Sequence, residues 1–215
     1  MKTRRVVILA NGDFPKKGGA AWRLLAAAKR VVCCDGAVDG YRRHFGKWPA
    51  AVVGDFDSFA SVACQTGERE NSRTIDFVRF TDQDTNDLEK AIVFCAMRGW
   101  RNPVIVGAMG KREDHAIGNV FRALDYGCEI VTDEGRFVPV FGKASFKAEK
   151  GSAVSVFAPD PRTRMTSRGL EWPLDDVKLK NLYCATLNRA TGVRITLTAT
   201  RPVSVFVPFA SERRL

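Results

Sequence analysis

Two carboxylates two residues apart, Asp55 and Asp57, follow a glycine at the end of the apolar run Val52-Val53 and are backed by Ser58. Val52-Val53-Gly54 reads as the end of a buried strand and a tight turn, so both carboxylates project from the strand's end with room for a hard cation between them. Mg²⁺ prefers oxygen ligands, keeps several waters, and is held by one or two carboxylates together with substrate phosphates. An isolated Asp-x-Asp is more often an acidic surface turn, because Asp, Gly and Ser are common turn residues. What separates the two is whether other strand ends carry matching chemistry.

Such chemistry needs a scaffold. The first two-thirds of the chain alternate strand and helix patterns. Strands are expected at Arg5–Ala10, Val31–Cys34, Ala51–Val53, Thr74–Val78, Val104–Val106, Cys128–Thr132 and Arg136–Phe141. Helices are expected at Ala20–Lys29, Ala37–Phe45, 59–66, Asn86–Arg98 and Asp114–Tyr126. Of these helices Asn86–Arg98 has the clearest stripe, with Leu88, Ala91, Ile92 and Cys95 on one face and Gly99 at the end. The alternation predicts a Rossmann-like, mainly parallel α/β sheet with helices on both faces. From residue 143 the period changes to two, as in Val193, Ile195 and Leu197 separated by Arg194, Thr196 and Thr198. Thr200-Arg201-Pro202 is expected to turn into a further strand, Val203–Val207. The expected organisation is an α/β domain over 1–142 and a smaller all-β sandwich over 143–215.

In an open parallel sheet, ligands bind outside the carboxyl ends of the strands. Those ends carry Asn11-Gly12-Asp13, Asp35-Gly36, Gly54–Ser58, Asp82–Asp87 and Gly107–His115. One acidic turn is unremarkable, but five convergent ends rich in glycine and carboxylate describe a site. Asp84 suits a helix N-cap with Asp87 three residues on, as in a capping box, and Asp87 can still face a metal. Gly107–Arg112 places glycines, Lys111 and Arg112 before a helix start, which suits phosphate, although the spacing is not that of a P-loop. Acidic groups for Mg²⁺ beside cations for phosphate point to a nucleotide–metal enzyme working by positioning and charge neutralisation.

Composition bounds the alternatives. With 45% hydrophobic and 27% charged residues the chain is ordinary for a globular enzyme rather than a disordered one. No apolar run approaches the roughly 20 residues of a membrane span. The N-terminal apolar run stops after five residues at Asn11, too short for a signal-peptide core, so the cytoplasm is the expected compartment. Six cysteines show no metal-site spacing and read as reduced, structural thiols. The net charge of +10 is concentrated in residues 143–215, which hold 13 Lys and Arg against six Asp and Glu. These cations are scattered and no nucleic-acid motif accompanies them, so no nucleic-acid partner is expected.

Taken in order, the motifs resemble the thiamine pyrophosphokinase family. Gly54–Ser58 matches its Gly-Asp-Phe-Asp-Ser segment, Asp82–Asp87 its Asp-Gln-Asp-x-x-Asp segment, and Gly110–His115 its Gly-x-Arg-x-Asp-His segment. Asp35-Gly36 and Gly169–Leu174 (family pattern Gly-Leu-x-Trp-x-Leu) extend the likeness over nearly the whole chain. The resemblance implies transfer of a diphosphoryl group from ATP to the hydroxyl of thiamine, with release of AMP. It implies Mg²⁺ on Asp55, Asp57 and Asp87. By the same resemblance Gln83, Asn86, Arg112 and Asp114 line the nucleotide and phosphate site, Asn11 and Asp35 lie nearby, and Trp172 stacks on the thiamine ring with Asn188 in the same ligand-binding group. It also implies a homodimer whose sites combine the α/β domain of one chain with the β domain of the other. Two positions depart from the family: Asn86 stands for Thr, and Leu187 for Ser in a Thr-Ser-Asn run. The rival functions are a nucleotide phosphohydrolase on the same scaffold, which would not require Trp172, and a basic nucleic-acid-binding module.

Overall fold

Short apolar runs of the first two-thirds of the chain form the strands of a parallel sheet in the computed structural model, which describes residues 6–56, 69–70, 73–80, 82 and 84–209. In chain order the elements are β1 (Val6–Leu9), α1 (Ala20–Ala27), β2 (Arg30–Cys34), α2 (Ala37–Phe45), β3 (Ala51–Gly54), β4 (Arg69–Glu70), β5 (Arg73–Thr74), β6 (Asp76–Arg79), α3 (Asp87–Met97), β7 (Val104–Val106), α4 (Glu113–Asp125) and β8 (Glu129–Val131). The strand order is β8-β7-β1-β2-β3-β6. The four pairings from β7 through β6 are parallel. Every residue of β1, β3 and β7 is buried, so both faces of the sheet are covered there. α3 packs on β1, β2 and β3, and α2 on β2. β4 and β5 pair antiparallel as a separate ribbon. The helix expected over 59–66 lies outside the described residues.

Local chemistry sets the helix ends. α2 carries Arg42, Arg43 and His44 in its last turn, where cations favour the helix dipole, and stops at Gly46 in the left-handed conformation (φ 63°). α3 starts at Asn86, whose side chain accepts a hydrogen bond from the Glu89 N–H at 2.9 Å. The cap is therefore Asn86, not Asp84. Asp84 instead donates its N–H to the Asp82 carboxylate at 2.9 Å, in a turn that the Thr85 hydroxyl also joins.

Two units make up the chain: Met1–Arg122 with Ile130–Asp133, and Ala123–Glu129 with Glu134–Leu215. The boundary expected at 142 falls inside β9 (Gly135–Lys147), a single strand of 13 residues. Gly142 (φ 68°) lies within the strand, beside an irregularity in its pairing with β14.

The second unit continues with β10 (Ala153–Phe157), β11 (Arg164–Arg168), β12 (Val177–Lys178), β13 (Ala185–Arg189) and β14 (Arg194–Pro208). β14 pairs with β9 on both sides of a register shift between Ala199 and Val203. The turn expected at Thr200-Arg201-Pro202 is that irregularity, inside one strand; Pro202 has no N–H for the ladder. Before it, β14 pairs with β11; beyond it, with β10. β11 in turn carries β12, and β10 carries β13, all antiparallel. Their inward side chains, among them Val140, Val154, Met165, Ile195 and Val205, form one buried apolar cluster. Among the described residues no helix is long and apolar enough to cross a membrane.

Candidate active site

The chain adds strands from β1 outward through β2, β3 and β6, then returns to the other side of β1 with β7. The order reverses between β1 and β7, and a crevice opens at such a switch point outside the strands' carboxyl ends. The segments that leave β1 and β7 meet there. The Gly12 N–H donates to the Gly107 carbonyl at 2.7 Å, and the Asp13 N–H to the Met109 carbonyl at 2.7 Å. The backbones are so close that a Cβ on Gly12 would collide with the Met109 and Gly107 carbonyls, and one on Gly110 (φ 78°) with the Asp13 carboxylate. Lys111 also holds a left-handed conformation (φ 54°), and its Nζ donates to Asn11 Oδ1 at 2.9 Å.

From Asn11 the line of polar groups continues across β2 and β3. A Cβ on Gly36 would lie 2.7 Å from Asn11 Nδ2, and one on Gly54 2.7 Å from Asp35 Cβ. Asp35 is buried, and its N–H donates to the Val53 carbonyl at 2.9 Å. Beside it, Asp55 is half-buried at the end of β3. Asp87, at the start of α3, has its pKa raised by burial above all, while Lys90 opposes the rise and the Asp55 charge adds to it. The two carboxylates therefore stand close enough to repel. Cys34 donates its Sγ–H to the Asp87 backbone carbonyl at 3.5 Å; burial, then the charge of Asp87, pushes this thiol far up, so it stays protonated and inert.

Two neighbouring oxygen-bearing carboxylates fit a hard cation that completes its shell with water and phosphate oxygens. Among the described residues no three His, Cys, Asp or Glu side chains are grouped as metal ligands. Asp57, the third member of the expected set, lies outside the described residues, as does Gln83.

Asn86 was expected to face nucleotide. Its amide is engaged internally: Oδ1 caps α3, and Nδ2 donates to Asn119 Oδ1 at 3.3 Å, while Asn119 Nδ2 donates to the Ala108 carbonyl at 2.9 Å. Asn86 thus ties the start of α3 to the loop after β7. Arg112 and Asp114 are exposed at the start of α4 and pair through two hydrogen bonds, Nε to Oδ1 at 3.1 Å and a terminal nitrogen to Oδ2 at 2.5 Å. The guanidinium lowers the Asp114 pKa to about 2.

In the second unit, Trp172 is 55% exposed. Asn188 is buried and its amide grips the Trp172 backbone, accepting from its N–H at 3.2 Å and donating to its carbonyl at 2.7 Å. The side chain expected among the ligand-binding groups is therefore committed to holding Trp172. Leu187 precedes it with φ 66°, in the register shift between β10 and β13, and its side chain is 76% exposed.

Of the expected residues, Asn11, Asp35, Asp55 and Asp87 are gathered by the first unit's strand ends, with Arg112 and Asp114 at the helix start that follows β7. Lys90 and Asn119 were missed. Lys90 sits three residues after Asp87, so helical spacing alone could have paired them; Asn119 lies inside an amphipathic helix and left no local signal.

Family models of "Thiamin pyrophosphokinase, catalytic domain" and "Thiamin pyrophosphokinase, substrate-binding domain" match residues 21–131 and 135–206 of the chain. "Thiamin pyrophosphokinase 1" of Caenorhabditis elegans is 28% identical over 142 residues, covering 61% of this chain and 56% of that protein, so the match spans little more than half the length of that relative. Among solved structures, thiamin pyrophosphokinase from Candida albicans superposes with a TM-score of 0.73 at 14% identity, covering 96% of this chain and 90% of that one. The Geobacillus thermodenitrificans thiamin pyrophosphokinase gives 0.70 at 21% identity, covering 98% and 99%.

Proposed function

This chain belongs to the thiamin pyrophosphokinase family, and from that premise we propose that it transfers the diphosphoryl group of ATP to the hydroxyl of thiamine, giving thiamine diphosphate and AMP. The observation that carries the reading is the convergence of Asp55 and Asp87 with Asn11 and Lys111 at the edge where the strand order reverses.

Asp55 and Asp87, with Asp57, would hold Mg²⁺, which when bound neutralises charge on the ATP phosphates. The cations Lys111 and Arg112 and the first N–H groups of α4 receive phosphate oxygens. Gln83, Asn11 and Asp35 border the nucleotide, and Asn86 acts by fixing the start of α3 against the loop after β7. Trp172, clamped through its backbone by Asn188, offers its indole face to the thiamine ring. With both substrates held, the thiamine hydroxyl oxygen attacks the β-phosphorus in line. A new O–P bond forms as the bond to the α-phosphate oxygen breaks, AMP departs, and a site carboxylate takes the hydroxyl proton. Arg112 stabilises charge developing on the leaving or transferred group.

The proposal includes a homodimer whose sites draw on both chains, and the cytoplasm as compartment; the free thiols of Cys33, Cys34, Cys95, Cys128 and Cys184 suit a reducing environment. The match of residues 135–206 to a substrate-binding domain speaks against a simple phosphohydrolase. Incubation with ATP, Mg²⁺ and thiamine tests the reading: AMP and thiamine diphosphate should appear in equal amounts. ADP alone, or AMP without dependence on thiamine, would overturn it.

A further inference from the structure

Lys90 stands where local rules would not put a lysine. It lies in the first turn of α3, where the helix dipole disfavours a cation. Its side chain is only 4% exposed, although lysine is almost never buried without a partner. The partner is Asp87, whose Oδ1 is 3.4 Å from Nζ. Glu89, next to it, is also buried but pairs with Arg122 at 3.1 Å, so the neighbouring charges of α3 serve different partners. Two local penalties, burial and an opposed dipole, are thus accepted at a position adjoining Asp87, and conflicts of this kind collect at functional sites.

We propose that Lys90 is a positioning residue for Asp87: its buried ammonium holds that carboxylate in place beside Asp55, keeping two like charges together at the phosphate end of the site. This rests on the reading of Asp55 and Asp87 as site residues. Lys90 itself touches no substrate. It supplies the positive charge that lets the carboxylate pair exist before any cation or phosphate arrives.

The test compares the full chain with Lys90→Met, Lys90→Arg, Asp87→Asn and the Lys90→Met/Asp87→Asn double variant, reading thermal midpoints in chelator and in saturating Mg²⁺ as well as turnover. Lys90→Met should lower the midpoint in chelator by about 5 °C, as expected for breaking a partly buried pair in a chain of this size. The loss should shrink in Mg²⁺, which supplies the missing charge, and should be less than about half as large in the Asp87→Asn background. Turnover of folded Lys90→Met should fall about tenfold with the KM for thiamine changed by less than about twofold, and Lys90→Arg should recover much of it. A Lys90→Met chain that folds only together with Asp87→Asn also supports the pairing. Equal midpoint losses in both backgrounds, turnover within about twofold of the parent, or failure of both Lys90→Met chains to fold would overturn it. If the parent protein makes no thiamine diphosphate, the functional reading fails on that result alone, and the midpoints still decide whether Lys90 and Asp87 are coupled.

Discussion

Arg112 and Asp114 show how little a motif says about the state of its side chains. Their spacing marks them as phosphate-site candidates, yet only the folded backbone at the start of α4 brings them into a two-pronged pair. The guanidinium keeps the Asp114 carboxyl at about 2, below its ordinary value. A carboxyl lowered on folding adds stability above its unfolded pKa, and the contribution is lost as pH falls through the folded value. Both groups are exposed, so solvent screening makes the contribution small and the pair free to open for a phosphate. Accordingly, the Asp114 carboxyl should stay ionised between about pH 5 and pH 3 and titrate within that window in Arg112→Ala, as followed by carboxyl NMR shifts. Among the proposed metal ligands, Asp55→Asn and Asp87→Asn should each cut turnover at least about a hundredfold in a chain whose circular dichroism is unchanged; near-normal turnover in either would remove that carboxylate from the site.

At the scale of elements, what positions the chemistry is the start of two helices and the close approach of two loops. Asn86 caps α3 and braces it through Asn119 to the loop after β7. Asn86→Ala should cost about 1 kcal/mol or more in urea unfolding, and Asn86→Thr, which can still cap, should restore most of it. Thr is the residue that the family pattern carries there, and a capping role accounts for the exchange. Gly110 is held at φ 78° against Asp13, so Gly110→Ala must displace the loops after β1 and β7 together. Its expected signature is a rise of about tenfold or more in the KM for ATP with a smaller change in that for thiamine. Equal effects on both substrates would place the two loops elsewhere than on the nucleotide side. Helix periods were legible in the sequence because Leu88, Ala91, Ile92 and Cys95 repeat with the turn. The cap was not, since Asp84 and Asn86 are both good capping residues and only the path of the backbone chooses between them.

For the whole molecule, the proposed sharing of sites between chains makes a prediction that single-chain activity cannot. Mixing and re-equilibrating inactive Asp55→Asn with inactive Trp172→Ala chains should restore about a quarter of parental activity. Half of the dimers would then be mixed, and one of the two sites in each would be free of both substitutions. No recovery, with both variants shown to exchange subunits by mass, would rule out the shared arrangement. By itself the sequence determined the class of each half and the edge at which chemistry collects, because burial period, glycine punctuation and turn residues act over a few positions of chain. Tertiary structure alone decided the rest: that β9 and β14 run through the expected boundary and turn, that Asn188 serves Trp172, and that the Lys90 side chain is buried. Each of these depends on what a distant stretch of chain, or a packed neighbour, leaves available to a side chain, and no local pattern records that.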